Sequence, residues 1–285
     1  MEAVIAIVGL VGLVWGAVVL LRGGVLGGCL LVLLATNCLG YWFFNVPAKP
    51  LPLTIDRALW LVVMVQCLLL RRVGQAQPRP WGWPEWVLAA FIGLLFASLV
   101  THDWEIKNYR PVSRFVFFFA MPLGMYWAAR QAKLSERAVL AVFAGLAGFG
   151  MYLAVTALAE VHHLSWLVYP QYILDPSQKE YLGRARGPMM DPIACGFYQT
   201  AGLAAALMWW PRLGRRGQLV LLGVAALFVA GITMTYTRSV WVGAGAAMLV
   251  LLGLLLPRAW FVPLLTVSVA TAAIAAATQW DRLIS

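Results

Sequence analysis

Two short stretches hold the residues that could do chemistry in an otherwise apolar chain. Residues 183–196 read "GRARGPMMDPIACG" and bring Arg184, Arg186, Gly187, Asp191 and Pro192 close together. Residues 234–243 read "MTYTRSVWVG" and carry one charge, Arg238, between Thr237 and Ser239. Guanidinium groups offer fixed forks of N–H donors that match phosphate oxygens. Asp191 followed by Pro192 predicts a helix start, with the aspartate as cap and the proline in the first turn. The positive end of that helix then faces Arg184 and Arg186, and dipole, unbonded N–H groups and guanidinium forks together suit an anion. Gly187, lacking a Cβ, would let a ligand approach the backbone closely. A plainer reading stays open: Arg184 and Arg186 touch lipid headgroups, Asp191 only caps, and Arg238 snorkels while Thr237 or Ser239 caps the next helix.

Composition defines the elements that must position these residues. Of 285 residues, 62% are hydrophobic and 11% charged, with mean hydropathy +0.83, whereas soluble domains are about 45–50% apolar. The expectation is an all-α polytopic membrane protein. A net charge of +10 in a soluble domain would suggest nucleic acid. Here the basic residues stand at the ends of apolar runs, where membrane proteins keep topology determinants, so no nucleic-acid partner is expected. Cys29, Cys38, Cys67 and Cys195 lie in or beside apolar runs without a C-x-x-C pair, and read as small core residues. Their spacing to His, Asp and Glu suggests no metal and no cofactor.

Apolar runs between charged or Pro/Gly punctuation predict about ten spanning helices, at roughly 3–21, 25–44, 52–70, 85–101, 111–129, 138–160, 193–210, 218–236, 239–256 and 259–279. In the third, Asp56 and Arg57 sit one turn inside and could instead mark its mouth. Connections are short except 161–192, where Trp166, Tyr169, Tyr172 and Tyr181 alternate with Leu and Ile and suit the headgroup layer. Tight basic clusters such as Arg71–Arg72 and Arg212–Arg216 favour their side as cytoplasmic, which puts the N-terminus, 161–192 and the C-terminal "WDRLIS" on the other side. Independently of orientation, the 161–192 connection, the Thr237–Arg238 turn and the C-terminal tail are two helices apart from one another and share a face.

The segment "RARGPMMDP" (Arg184 to Pro192), one helix, a basic turn, another helix and then "TRSVW" (Thr237 to Trp241) resembles the signature region of the O-antigen ligase and polymerase family. Members of that family are bacterial inner-membrane glycosyltransferases using undecaprenyl-diphosphate-linked glycans. Arg184 matches the first arginine of the family loop, Gly187 its glycine, Asp191–Pro192 its turn and Arg238 the hairpin arginine. Ile193 stands where an Asn is expected, and Thr237 and Ser239 where Ser and Gly are expected. The resemblance spans roughly residues 180 to 260. It implies metal-independent transfer of a glycan from a lipid diphosphate to a hydroxyl of a glycan or lipid acceptor, as in O-antigen, lipopolysaccharide or exopolysaccharide assembly. Arg184 and Arg238 would be catalytic, neutralising the diphosphate leaving group, and Arg186, Gly187 and Asp191 would contact substrate.

The family carries a large extracytoplasmic loop with a histidine base after the helix corresponding to 259–279, whereas this sequence ends at Ser285. The expectation is thus one transmembrane domain with N-terminal helices over 1–160 and a partial ligase-like module over 161–285, truncated before that loop. His162 and His163 lie on the proposed catalytic face but not at the family position. Two other classes compete: a transporter or flippase for a lipid-linked or other anionic substrate, against which charges avoid helix centres, and a non-catalytic membrane scaffold.

Overall fold

The computed structural model describes residues 16–18, 22–38, 45–46, 53–76, 79–101, 111–132, 134–175, 181–255 and 266. The main helices are α1 (Arg22–Cys38), α2 (Ile55–Arg72), α3 (Trp83–Thr101), α4 (Pro111–Phe115), α5 (Met121–Arg130), α6 (Glu136–Val161), α7 (Pro192–Leu207), α8 (Arg215–Thr233) and α9 (Arg238–Leu255). The described residues are otherwise helical turns and loops, apart from a two-residue antiparallel pair joining Asn45 to Thr54 and Val46 to Leu53.

Eight of the ten expected helical ranges therefore coincide with helices, but fewer qualify as spans. Among the described residues, four segments are long and apolar enough to cross a membrane: Trp83–Thr101, Pro111–Arg130, Glu136–Val161 and Arg215–Thr233. Arg22–Cys38 and Arg238–Leu254 are apolar but shorter. α2 carries Asp56, Arg57, Arg71 and Arg72 within 18 residues, and it begins at Ile55, so Asp56 and Arg57 do sit at its mouth. α7 has 16 residues, bounded by Pro192 and by a 3-10 turn at Trp210–Arg212. The ranges 3–21 and 259–279 lie outside the described residues.

The chain forms two compact units, Met1–Gly145 with Tyr169–Asp175, and Leu146–Val168 with Pro176–Ser285. The division falls inside α6, because the C-terminal part of that helix packs into the second unit. In the first unit α2 lies on α5. There the Trp60 indole N–H donates to the Met121 carbonyl at 3.1 Å, and Val25, Cys67 and Ala128 are buried together. The run Pro111–Arg130 passes through a π-helical turn at Val116–Ala120. Pro122 explains its place: it lacks an N–H and crowds the carbonyl four residues earlier, and a wider turn absorbs both effects.

In the second unit α7 packs against both α8 and α9. Gly150 of α6 and Gly202 of α7 meet so closely that a Cβ on Gly202 would stand 2.9 Å from the Gly150 Cα. Small residues at such a crossing let helix backbones approach, the main source of attraction between helices in lipid. Phe228 of α8, fully buried, fills the space beside them with Ala154, Leu203, Ala206 and Leu221. At 26 residues, α6 is about 39 Å long, more than the ~30 Å hydrocarbon layer. Its last turn holds Glu160.

Candidate functional site

Both chemistry-bearing stretches lie in the second unit. The loop before α7 folds through Gly187 and Met190, with φ of 58° and 57°, which bracket a 3-10 turn at Gly187–Met189. The Met190 amide closes it on the Gly187 carbonyl at 3.0 Å. Asp191 is then extended, its Oδ1 accepts from the Ile193 amide at 2.9 Å, and Pro192 occupies the first turn of α7. The helix start expected from Asp191–Pro192 is thus present, with the aspartate half-buried and engaged as a cap.

Arg186 faces inward. Its Nε donates to Glu160 Oε1 at 3.1 Å, and the two side chains are only 4% and 8% exposed. Glu160 Oε2 accepts from the Arg186 amide at 2.9 Å and from the Gly187 amide at 3.1 Å. Three donors, one of them charged, satisfy a carboxylate that burial would otherwise disfavour. The carboxylate in turn ties the end of the connection, just before α7, back to the end of α6. Gly187 is itself buried, and a Cβ there would stand 3.2 Å from Cys195 Sγ. Its glycine is required by the left-handed backbone and by this packing, while its N–H already belongs to Glu160.

The second stretch is tied to the first by backbone. The Ala185 amide, fully buried, donates to the Met234 carbonyl at the end of α8 at 2.9 Å. The connection from α8 to α9 turns at Tyr236, with φ 46°. The Trp241 indole N–H reaches back to the Ile232 carbonyl at 3.2 Å, and the Thr237 hydroxyl donates to the Thr235 carbonyl at 2.9 Å. The Val240 and Trp241 amides then bond to the Thr237 carbonyl, and α9 begins at Arg238. Arg184 and Arg238 are both exposed. The structure therefore ties the two stretches together by one backbone bond and leaves one arginine of each exposed, while Arg186 is turned inward to Glu160, Gly187 is buried and Asp191 caps α7.

Glu160 is the residue that sequence reasoning passed over. The signal was there: a carboxylate in the last turn of a helix opposes the macrodipole, so an apolar helix ending in glutamate asks for a cationic partner. Further buried polar side chains lie in the same unit at Thr156, Gln199, Thr200 and Thr235, with the Gln199 amide N–H donating to Cys195 Sγ at 3.3 Å. His162 and His163 are exposed just beyond α6. In the first unit, burial pushes the Tyr172 phenol above its ordinary range. Among the described residues no group of three or more His, Cys, Asp or Glu stands together.

Comparison with known proteins finds no matching family model, no similar curated protein and no similar solved structure.

Proposed function

We propose that this chain is a glycosyltransferase-like protein of a bacterial inner membrane, which transfers or polymerises a glycan carried on undecaprenyl diphosphate at the periplasmic face. The observation that carries the proposal is the Ala185–Met234 backbone bond, which couples the Arg184 loop to the hairpin of Arg238 while both arginines stay exposed. In the reaction an acceptor hydroxyl oxygen bonds to the anomeric carbon, the bond from that carbon to the diphosphate breaks, and the diphosphate leaves with the electron pair. The hydroxyl proton passes to the aqueous side. Arg184 and Arg238 act where charge develops, on the leaving diphosphate, and need no rearrangement if loop and hairpin already hold them. Arg186 and Glu160 position that loop, and Asp191 caps the helix behind it.

The test is glycan transfer by the protein in its membrane. Arg238→Ala and Arg184→Ala are each expected to lower transfer by about a hundredfold or more, the size of effect seen when one charge-stabilising donor is removed from such a site. Transfer that is undiminished in either variant would remove that arginine from the mechanism. Movement of the lipid-linked substrate across a vesicle membrane without any covalent change would replace the transferase reading with a transporter.

A further inference from the structure

We propose that the first unit carries a second site, unrelated to the transfer reaction, for the headgroup of an anionic phospholipid, held by Arg71, Arg79 and Arg130. These arginines come from the end of α2, the connection to α3 and the end of α5. With Trp81, Trp127 and Gln131 they line a pocket of about 120 Å³, against about 10–15 Å³ for a single water by the same measure. Among the described residues no acidic side chain lines it.

Two of the three guanidiniums are already oriented. Arg71 lies over the Trp127 ring at 6.0 Å and Arg130 over the Tyr126 ring at 5.9 Å. Arg130 also donates to the Pro80 carbonyl at 3.0 Å and pairs with Glu85 at 3.5 Å. Glu85 offsets one charge, but its carboxylate is occupied by the Tyr126 hydroxyl at 2.6 Å and the Gly82 amide at 2.6 Å. Arg71 and Arg79 remain to face the pocket, and stacked guanidiniums lose little freedom when they grip a phosphate.

Gln131 closes the inner wall of the pocket: it is 4% exposed, and its amide N–H donates to the Trp127 carbonyl at 3.3 Å. Three guanidiniums around one pocket suit the phosphate of an anionic lipid headgroup. The flanks suit its acyl chains. Leu68 and Leu69 are exposed one turn before Arg71, α3 has no buried residue, and Trp81, Trp83 and Trp86 are exposed at the rim, where indoles settle at headgroup depth. Basic pockets between helices at a membrane edge are established headgroup sites.

The test uses the full chain in phosphatidylcholine nanodiscs doped with phosphatidylglycerol, reading retained lipid by native mass spectrometry. Wild type is expected to retain phosphatidylglycerol over phosphatidylcholine, and Arg71→Ala/Arg79→Ala to lose that preference by about tenfold or more, the equivalent of one charge-assisted hydrogen bond. Arg79→Ala alone, at an exposed position, gives the same direction should the double variant fold poorly. Arg137→Ala, basic but not lining the pocket, is expected to change retention less than twofold. Equal retention by wild type and both pocket variants overturns the site. An equal loss in Arg137→Ala overturns it in favour of diffuse surface attraction, and displacement of the lipid by inorganic phosphate overturns the lipid as occupant.

Discussion

Glu160 and Arg186 form an enclosed ion pair, with Nε 3.1 Å from Oε1, and the same carboxylate receives the amides of Arg186 and Gly187. One side chain at the end of α6 thus holds two consecutive peptide units. Removing it takes away the acceptor that the Arg186 Nε and two buried amides share. Glu160→Ala is expected to cost about 3–5 kcal/mol of stability, read as a lowered unfolding temperature of the purified protein. Adding Arg186→Met to Glu160→Ala should restore part of the loss, because the stranded charge disappears. A single variant as stable as wild type would mean that the pair contributes nothing.

Gly187 joins this network through its N–H and the α7 core through its missing Cβ. Gly187→Ala is expected to destabilise by about 1–2 kcal/mol for the left-handed backbone alone, with an added share from the 3.2 Å approach to Cys195 Sγ. Trimming the neighbour separates the two. Cys195→Ala combined with Gly187→Ala should recover the packing share and leave the backbone share, a coupling that a double-mutant cycle on unfolding temperature measures. Strict additivity would place the whole cost in the backbone.

What could be read from the chain itself was local. Runs at 85–101 and 138–160 appear as Trp83–Thr101 and Glu136–Val161, because length, hydropathy and punctuation act within one segment. The Asp191 cap was legible for the same reason, since its partner is two residues away. The Glu160–Arg186 pair joins residues 26 positions apart across a connection without a periodic pattern, so only the folded loop reveals it. That is also why Arg186 reads as a surface cation in sequence and is buried in the fold. The π-helical turn before Pro122 shows the limit of counting apolar residues: a composition test sees one helix, while the missing N–H of a single proline sets its local register.

Arg184 and Arg238 stand on segments joined by the Ala185–Met234 bond, so a shared diphosphate would make them act as one unit. In transfer assays Arg184→Ala/Arg238→Ala is then expected to lose little more than the worse single variant, as happens when removal of one member already disables the group. Independent roles would multiply instead. Since both side chains are exposed, their loss should shift stability by no more than about 0.5 kcal/mol, which separates a lost reaction from a lost fold.

Asp191 distinguishes support from contact with substrate. Its Oδ1 caps α7 through the Ile193 amide at 2.9 Å, and asparagine caps as well as aspartate, whereas alanine forfeits about 1 kcal/mol. If the residue only holds the helix, Asp191→Asn should keep both stability and glycan transfer near wild type, and Asp191→Ala should lower the unfolding temperature slightly with a proportionate loss of transfer. If its charge meets the substrate, Asp191→Asn would keep the fold and still depress transfer. The cap geometry favours the first outcome, because Asp191 Oδ1 is already engaged by the Ile193 amide of its own helix.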